Sequence, residues 1–284
     1  GGGGGFGGGG GIGFALLPFV FSRFGCGGVV VLGIALLVFG GLGNIGSMLS
    51  SVGGAPTAQV APGAGSGGTT AAEICNSDPL KLQSCHMLAS LNQTWPKLIQ
   101  GYTPPKLSFY SQEGQSGCGV AQSAMGPFYC PTDGKVYLDV DFYKELQNRF
   151  GAAGDFAQDY VVAHEVGHHI QNLTGTADKV REAQANASRV EGNALSVKLE
   201  LQADCYAGVW AARNRDRMEA GDLEEGMRAA QAIGDDTLQR ESQGVVVPES
   251  FTHGTSAQRQ FWLKKGLDSG DPAQCDTFGA GANA

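Results

Sequence analysis

Charge is missing from the first quarter of this sequence. Residues 1–72 contain no Asp or Glu and one basic residue, Arg23. The 27 acids of the 284-residue chain and its other 18 basic residues all follow, so that later part carries a formal −9. With no basic stripe to neutralise phosphates, the composition argues against a nucleic-acid partner. Histidine is scarce too: the chain has five, at 86, 164, 168, 169 and 253. Closely spaced cysteine pairs are absent, which disfavours a four-cysteine structural zinc site.

What the first part has instead is glycine and apolar side chains. Of the 46 glycines, 25 lie before residue 73. Residues 1–11 are nearly all glycine, and such low complexity cannot repay its ordering entropy, so a flexible tail is expected there. Residues 12–48 turn apolar. The window from Val29 to Met48 is 20 residues long, about the length one transmembrane helix needs. A retained anchor in the lipid bilayer fits that length better than a cleaved signal peptide, although Ala55-Pro56-Thr57-Ala58 imitates a cleavage site. Arg23 favours its own side as cytoplasmic, which places the rest of the chain outside, in a periplasmic or extracellular compartment. Residues 49–71, rich in Gly, Ala, Pro, Ser and Thr, read as a linker. Residues 72–284 are enough for one folded domain with its own core.

Six cysteines follow the apolar segment: Cys75, Cys85, Cys118, Cys130, Cys205 and Cys275. An even number beyond a membrane anchor predicts disulfides. Spacing favours Cys75–Cys85 and Cys118–Cys130 as local clasps, leaving Cys205–Cys275 as a long-range tie, among about 15 pairings that six cysteines allow. Free buried cysteines in a cytosolic protein are the alternative.

Ala72 to Gln100 reads as helical and Leu107 to Tyr110 as a short strand. Gly114 to Phe128 is small and polar. Lys135 to Val140 alternates best and is a candidate cleft-edge strand to pair with an extended peptide. Asp155 is placed to cap a helix from Phe156 to about Leu173, with Val162, Val166, Ile170 and Leu173 as its apolar stripe. Ala177 to Arg213 is long helical material, with any break expected near Gly192-Asn193. Trp95, Trp210 and Trp262 read as core, and His86 as structural or exposed.

The capped helix carries His164-Glu165-Val166-Gly167-His168, an H-E-x-x-H arrangement. Four residues apart on one helical face, His164 and His168 can reach a single ion. Glu165 lies about 100° further round, close enough to act on a water at that ion. His169 is rotated off the ligand face. Gly167 is an anomaly, unfavourable in a helix by about 1 kcal/mol relative to Ala, and close approach of another backbone would explain it. A catalytic zinc site wants three protein ligands and an open position. Glu200 and Asp204 lie four apart on an apolar later stretch, where two carboxylates are costly unless paired. Glu200 is therefore the expected third ligand. Asp204 is the expected acceptor from the outer nitrogen of a liganding histidine, most plausibly His164. Glu165 then serves as general base. His253, in a late Gly/Ser/Thr loop, is the candidate catalytic donor to an oxyanion, with Tyr206 as a second possibility.

V-A-H-E-V-G-H-H-I-Q (162–171), E-L-Q-A-D-C-Y-A-G-V-W (200–210), F-Y-C-P-T-D-G-K-V-Y-L-D (128–139) and F-T-H-G-T-S-A-Q-R (251–259) together resemble the Putative neutral zinc metallopeptidase family of bacterial proteins. A glycine-rich start followed by one membrane span also resembles that family's layout. The resemblance implies an α+β, predominantly helical zincin-like domain with a small edge sheet, preceded by one transmembrane helix. It also implies a zinc (Zn2+) peptidase with an extracytoplasmic catalytic part acting on peptide or protein substrates. A histidine third ligand of the H-E-x-x-H-x-x-G-x-x-H kind is absent, because position 171 is Gln and position 174 is Thr. The competing expectation is a non-catalytic, membrane-anchored envelope interaction protein with a structural zinc, its fourth position filled by Asp204 or His169. A weaker one is a hydrolase of a non-peptide amide. Substrate preference and oligomeric state are not written in the sequence.

Overall fold

The computed structural model describes residues 70–150 and 154–279. The expected tail, the apolar segment and nearly all of the linker lie outside the described residues. Among the described residues, no helix is long and apolar enough to cross a membrane.

Two helices open the domain, α1 (Ala71–Cys75) and α2 (Pro79–Thr94). The single helical stretch expected there is divided at Asp78, whose side chain accepts from the Leu80 N–H, with Pro79 starting the next helix. Proline suits that position because its missing N–H would have no helical partner anyway. Five short strands follow: β1 (Lys106–Tyr110), β2 (Glu113–Ser116), β3 (Gly119–Gln122), β4 (Phe128–Cys130) and β5 (Lys135–Asp139). β2 and β3 form a separate antiparallel hairpin inside the polar stretch. The other three make a sheet in the order β1-β5-β4, with β1 parallel and β4 antiparallel to β5.

This order corrects one expectation. β5 is the central strand, paired on both sides, so no peptide can add to it. Val136, Tyr137, Leu138 and Asp139 in succession are buried, which marks a strand covered on both faces rather than a half-exposed edge.

Seven helices then build the body: α3 (Val140–Phe150), α4 (Asp155–Leu173), α5 (Thr176–Gln184), α6 (Arg189–Arg213), α7 (Asp222–Ala232), α8 (Asp235–Gln243) and α9 (Ser256–Ser269). Asp155 lies inside the first turn of α4 rather than capping it. Gly154, with φ of 139°, occupies the cap. The break between α5 and α6 falls at Ser188, not at Gly192-Asn193. Ser188 and Glu191 form a reciprocal capping box that starts the new helix.

The core lies where α4, α6 and α9 pack, with Val162, Val166, Ile170, Val209 and Trp95 wholly buried and Trp210 and Trp262 nearly so. Three glycines, at two helix crossings, set how closely these helices approach. A Cβ at Gly167 would lie 2.9 Å from the Cα of Ala203, so the anomalous glycine between the motif histidines is what lets α6 reach α4. At the α6–α9 crossing, a Cβ on Gly266 would overlap the Cys205 carbonyl oxygen, and one on Gly208 would overlap that of Leu263. Tyr206 is not at a cleft. Its ring packs edge-on against Trp95 with centroids 5.6 Å apart, inside the core. Disulfides join Cys75 to Cys85, Cys118 to Cys130 and Cys205 to Cys275.

Candidate metal centre

α4 and α6 lie side by side, so residues from one turn of each meet. His164 and His168 from α4 and Glu200 from α6 bring one ligand atom apiece within 4.8 Å of each other. His164 Nε2 is 3.1 Å from Glu200 Oε2, and His168 Nε2 is 3.6 Å from Glu200 Oε1. These separations bracket the edge of about 3.4 Å expected for a tetrahedron of nitrogen and oxygen ligands around zinc.

Hydrogen bonds on the far side of each ring assign the near side. His164 Nδ1 is 2.8 Å from Asp204 Oδ1, and a carboxylate only accepts, so the Nδ1 proton points there. His168 Nδ1 is 2.9 Å from Gln171 Oε1. Gln171 Nε2 donates to the Leu199 carbonyl at 2.7 Å and to Gln202 Oε1 at 3.2 Å, which leaves its Oε1 to accept from His168. Drawn as neutral rings with those protons on Nδ1, both imidazoles would turn bare Nε2 lone pairs toward one carboxylate. Lone pairs facing at such distances need a proton or a cation between them. Two imidazoles and a carboxylate are a donor set that suits zinc.

The electrostatics agree. Burial opposes charge on His164, but the Asp204 carboxylate and hydrogen bonds to Asp204 and Glu200 outweigh it, lifting its pKa to about 9. In the metal-free protein a proton is thus drawn to the place a divalent cation would take. Burial likewise works against an ionised Glu200, yet His168, His253 and His164 hold its carboxyl well below the usual range. Glu165 differs: burial raises its carboxyl, with the two histidines opposing only in part. Its side chain is 7% exposed.

Asp204 is wholly buried. Its Oδ1 accepts from the Tyr160 hydroxyl at 2.6 Å, from His164 and from Arg259 Nη2 at 3.0 Å; its Oδ2 accepts from Arg259 Nε at 2.9 Å. His169 faces away from the cluster and is buried rather than exposed. Its Nε2 donates to the Thr103 carbonyl at 2.6 Å, so its Nδ1 accepts from the Tyr129 hydroxyl at 3.0 Å. Burial lowers its pKa, in keeping with a neutral ring.

His253 lies on the loop between α8 and α9, close enough to Glu200 to help depress that carboxyl. Asp235 holds the loop: its Oδ2 accepts from the backbone N–H groups of Thr252, His253 and Gly254 at 2.7, 2.6 and 3.1 Å. Its Oδ1 is 3.3 Å from His253 Nδ1. His86 is exposed on α2 and is not part of this cluster. The residues that sequence reasoning missed are Arg259, Tyr160, Gln171 and Asp235. Arg259 stood within one of the motifs quoted above, but nothing local distinguishes an inward-facing arginine from a solvated one.

An H-E-x-x-H helix whose histidines lie within reach of one ion together with a glutamate of a second helix is a plausible metal-binding cluster of zincin-like kind, and the mainly helical domain with its two small sheets is consistent with that fold. The Putative neutral zinc metallopeptidase family matches residues 1–278, and the chain belongs to it. Uncharacterized protein YpfJ of Escherichia coli strain K12 is 55% identical over 210 residues, covering 72% of this chain and 73% of that protein. Uncharacterized protein Rv2575 of Mycobacterium tuberculosis strain H37Rv is 42% identical over 220 residues, covering 72% and 73%. Uncharacterized protein Mb2605 of Mycobacterium bovis is similar to the same extent. No solved structure matches the chain.

Proposed function

We propose that this chain is a zinc-dependent peptidase, an endopeptidase acting on peptide or protein substrates, with His164, His168 and Glu200 as ligands and Glu165 as general base. The observation that carries the reading is the three-donor cluster with a buried carboxylate, Glu165, on the same helix turn. Bound there, zinc would supply a Lewis acid and lower the pKa of water at its open position. Glu165, its pKa raised by burial, takes the proton from the attacking water and passes it to the leaving amine. His253, oriented by Asp235, offers a donor to the oxyanion. Asp204 fixes the His164 ring by accepting from Nδ1.

A structural zinc with a fourth protein ligand is the second reading. Its two candidate ligands, Asp204 and His169, are both engaged elsewhere, the first with Arg259 and Tyr160, the second with Thr103 and Tyr129. That favours an open fourth position. Three disulfides support an extracytoplasmic domain, and residues 12–48 are proposed as its bilayer anchor.

The test is Glu165→Gln. Zinc content should equal that of the parent, while peptide hydrolysis falls by at least about 10²-fold. Parental turnover in that variant would sink the assigned mechanism. A chelator-insensitive activity would sink the zinc dependence.

A further inference from the structure

We propose that Arg259 is a positioning residue of the metal centre: from α9 it fixes Asp204 so that His164 presents Nε2 to the ion. The inference rests on the zinc reading above but concerns a residue that touches neither metal nor substrate.

Asp204 has no contact with solvent, and Arg259 is 1% exposed. The guanidinium uses all three nitrogens. Nε and Nη2 grip both oxygens of Asp204 at 2.9 and 3.0 Å, Nη2 also donates to the Tyr160 hydroxyl at 3.2 Å, and Nη1 donates to the Ile233 carbonyl at 3.3 Å. Ile233 caps the C-terminus of α7, so the fork is anchored to a helix outside the centre and cannot swivel. The carboxylate is consequently held at both oxygens. Without Arg259 it would keep only Tyr160 and His164, both on Oδ1, and could rotate about its own Cβ–Cγ bond. The His164 ring would then lose the fixed acceptor that keeps its proton on Nδ1 and its lone pair on Nε2. Lysine could restore the charge but not the planar two-point grip.

The geometry needed to bring this arginine in is built into the helix crossing. Gly266 lies two turns beyond Arg259 on α9, and Gly208 one turn beyond Asp204 on α6. The missing side chains at these two positions let the backbones approach closely enough for the fork to reach.

The experiment compares the full 284-residue chain with Arg259→Lys, Arg259→Met and Tyr160→Phe. Zinc affinity is read by chelator competition, the ligand field by the visible spectrum of the cobalt(II) form, and metal-free stability by thermal unfolding. We expect Arg259→Lys to weaken zinc binding about 10–100-fold, the range typical of lost outer partners of a liganding histidine, and to alter the cobalt spectrum. Tyr160→Phe, which leaves the fork in place, should change affinity less. In a double-mutant cycle, Asp204→Asn and Arg259→Lys should overlap rather than add. Zinc affinity and cobalt spectrum within twofold of the parent in Arg259→Lys would overturn the proposal, even if metal-free stability fell, since that is what a purely structural arginine would do. If Arg259→Met fails to fold, the lysine variant and the cycle still decide. A parent chain that binds no stoichiometric zinc would refute the underlying metal reading instead.

Discussion

Replacing Gly266 by Ala tests whether the α6–α9 approach governs the metal centre. The new Cβ would overlap the Cys205 carbonyl oxygen and lie 2.8 Å from Cys205 C and 2.9 Å from Val209 N. All three are backbone atoms, so no rotamer change relieves the clash. To reach ordinary contact, α9 must withdraw by on the order of 1 Å. A shift of that size stretches the Arg259–Asp204 bonds from 2.9 and 3.0 Å toward about 4 Å, outside hydrogen-bonding range. Overpacking of this kind costs about 1–3 kcal/mol, and loosening a buried charge pair costs up to another 3–5 kcal/mol. Against this stands a gain of about 1 kcal/mol from Ala over Gly in a helix interior. A net loss of about 3 kcal/mol corresponds to roughly 6–12 °C in Tm for a domain of this size. Differential scanning fluorimetry with and without zinc measures it, and chelator competition on the same samples measures affinity. A Tm within about 2 °C of the parent would refute the packing argument. A large fall in Tm with unchanged zinc affinity would refute its link to the metal.

Two further predictions follow from the site and its surroundings. Burial, with Asp155 and Asp222 adding, raises the Asp159 carboxyl to about 7, against which the Gln83 hydrogen bond works. A raised acid contributes stability that is present below its unfolded pKa near 4 and is lost as pH climbs through about 7. Asp159→Asn should therefore match the parent near pH 4 and exceed it at pH 8, by up to about 4 kcal/mol. Urea unfolding at the two pH values checks this, and a constant difference between the two proteins would contradict it. His253→Ala should lower kcat by about 10²–10³-fold with zinc content intact; loss of zinc with activity would instead make the residue structural.

The parts legible in the sequence were those with local signals. H-E-x-x-H sits on a helix with a readable apolar stripe, Glu200 and Asp204 recur at helical spacing, and spacing favoured the disulfide partners that form. Where long-range contacts decide, the sequence was mute. Glu113 to Gln122 is polar and glycine-bearing, with little strand propensity, yet it forms a hairpin beside the Cys118–Cys130 bridge. β5 read well as a strand, but only the arrival of β1 and β4 on both sides shows it to be central. Ser188 and Glu191 held a capping box that outweighed the glycine at 192, and that signal was available. Arg259 meets His164 across 95 residues, and no periodicity along either helix announces the meeting. Gly167 lies between these cases: its cost in a helix pointed to a close neighbour, and only the packing named it as Ala203.

The sequence separation of Arg259 also orders the centre in time. A chain made from its N-terminus releases His164 and His168 first, Glu200 and Asp204 next, and the arginine last of all. Until α9 docks, the histidine nearest Asp204 has an acceptor that is itself unanchored, and Cys205 still awaits Cys275. On that order α9 completes the centre, and a growing chain would carry the candidate ligands before it could hold them in register.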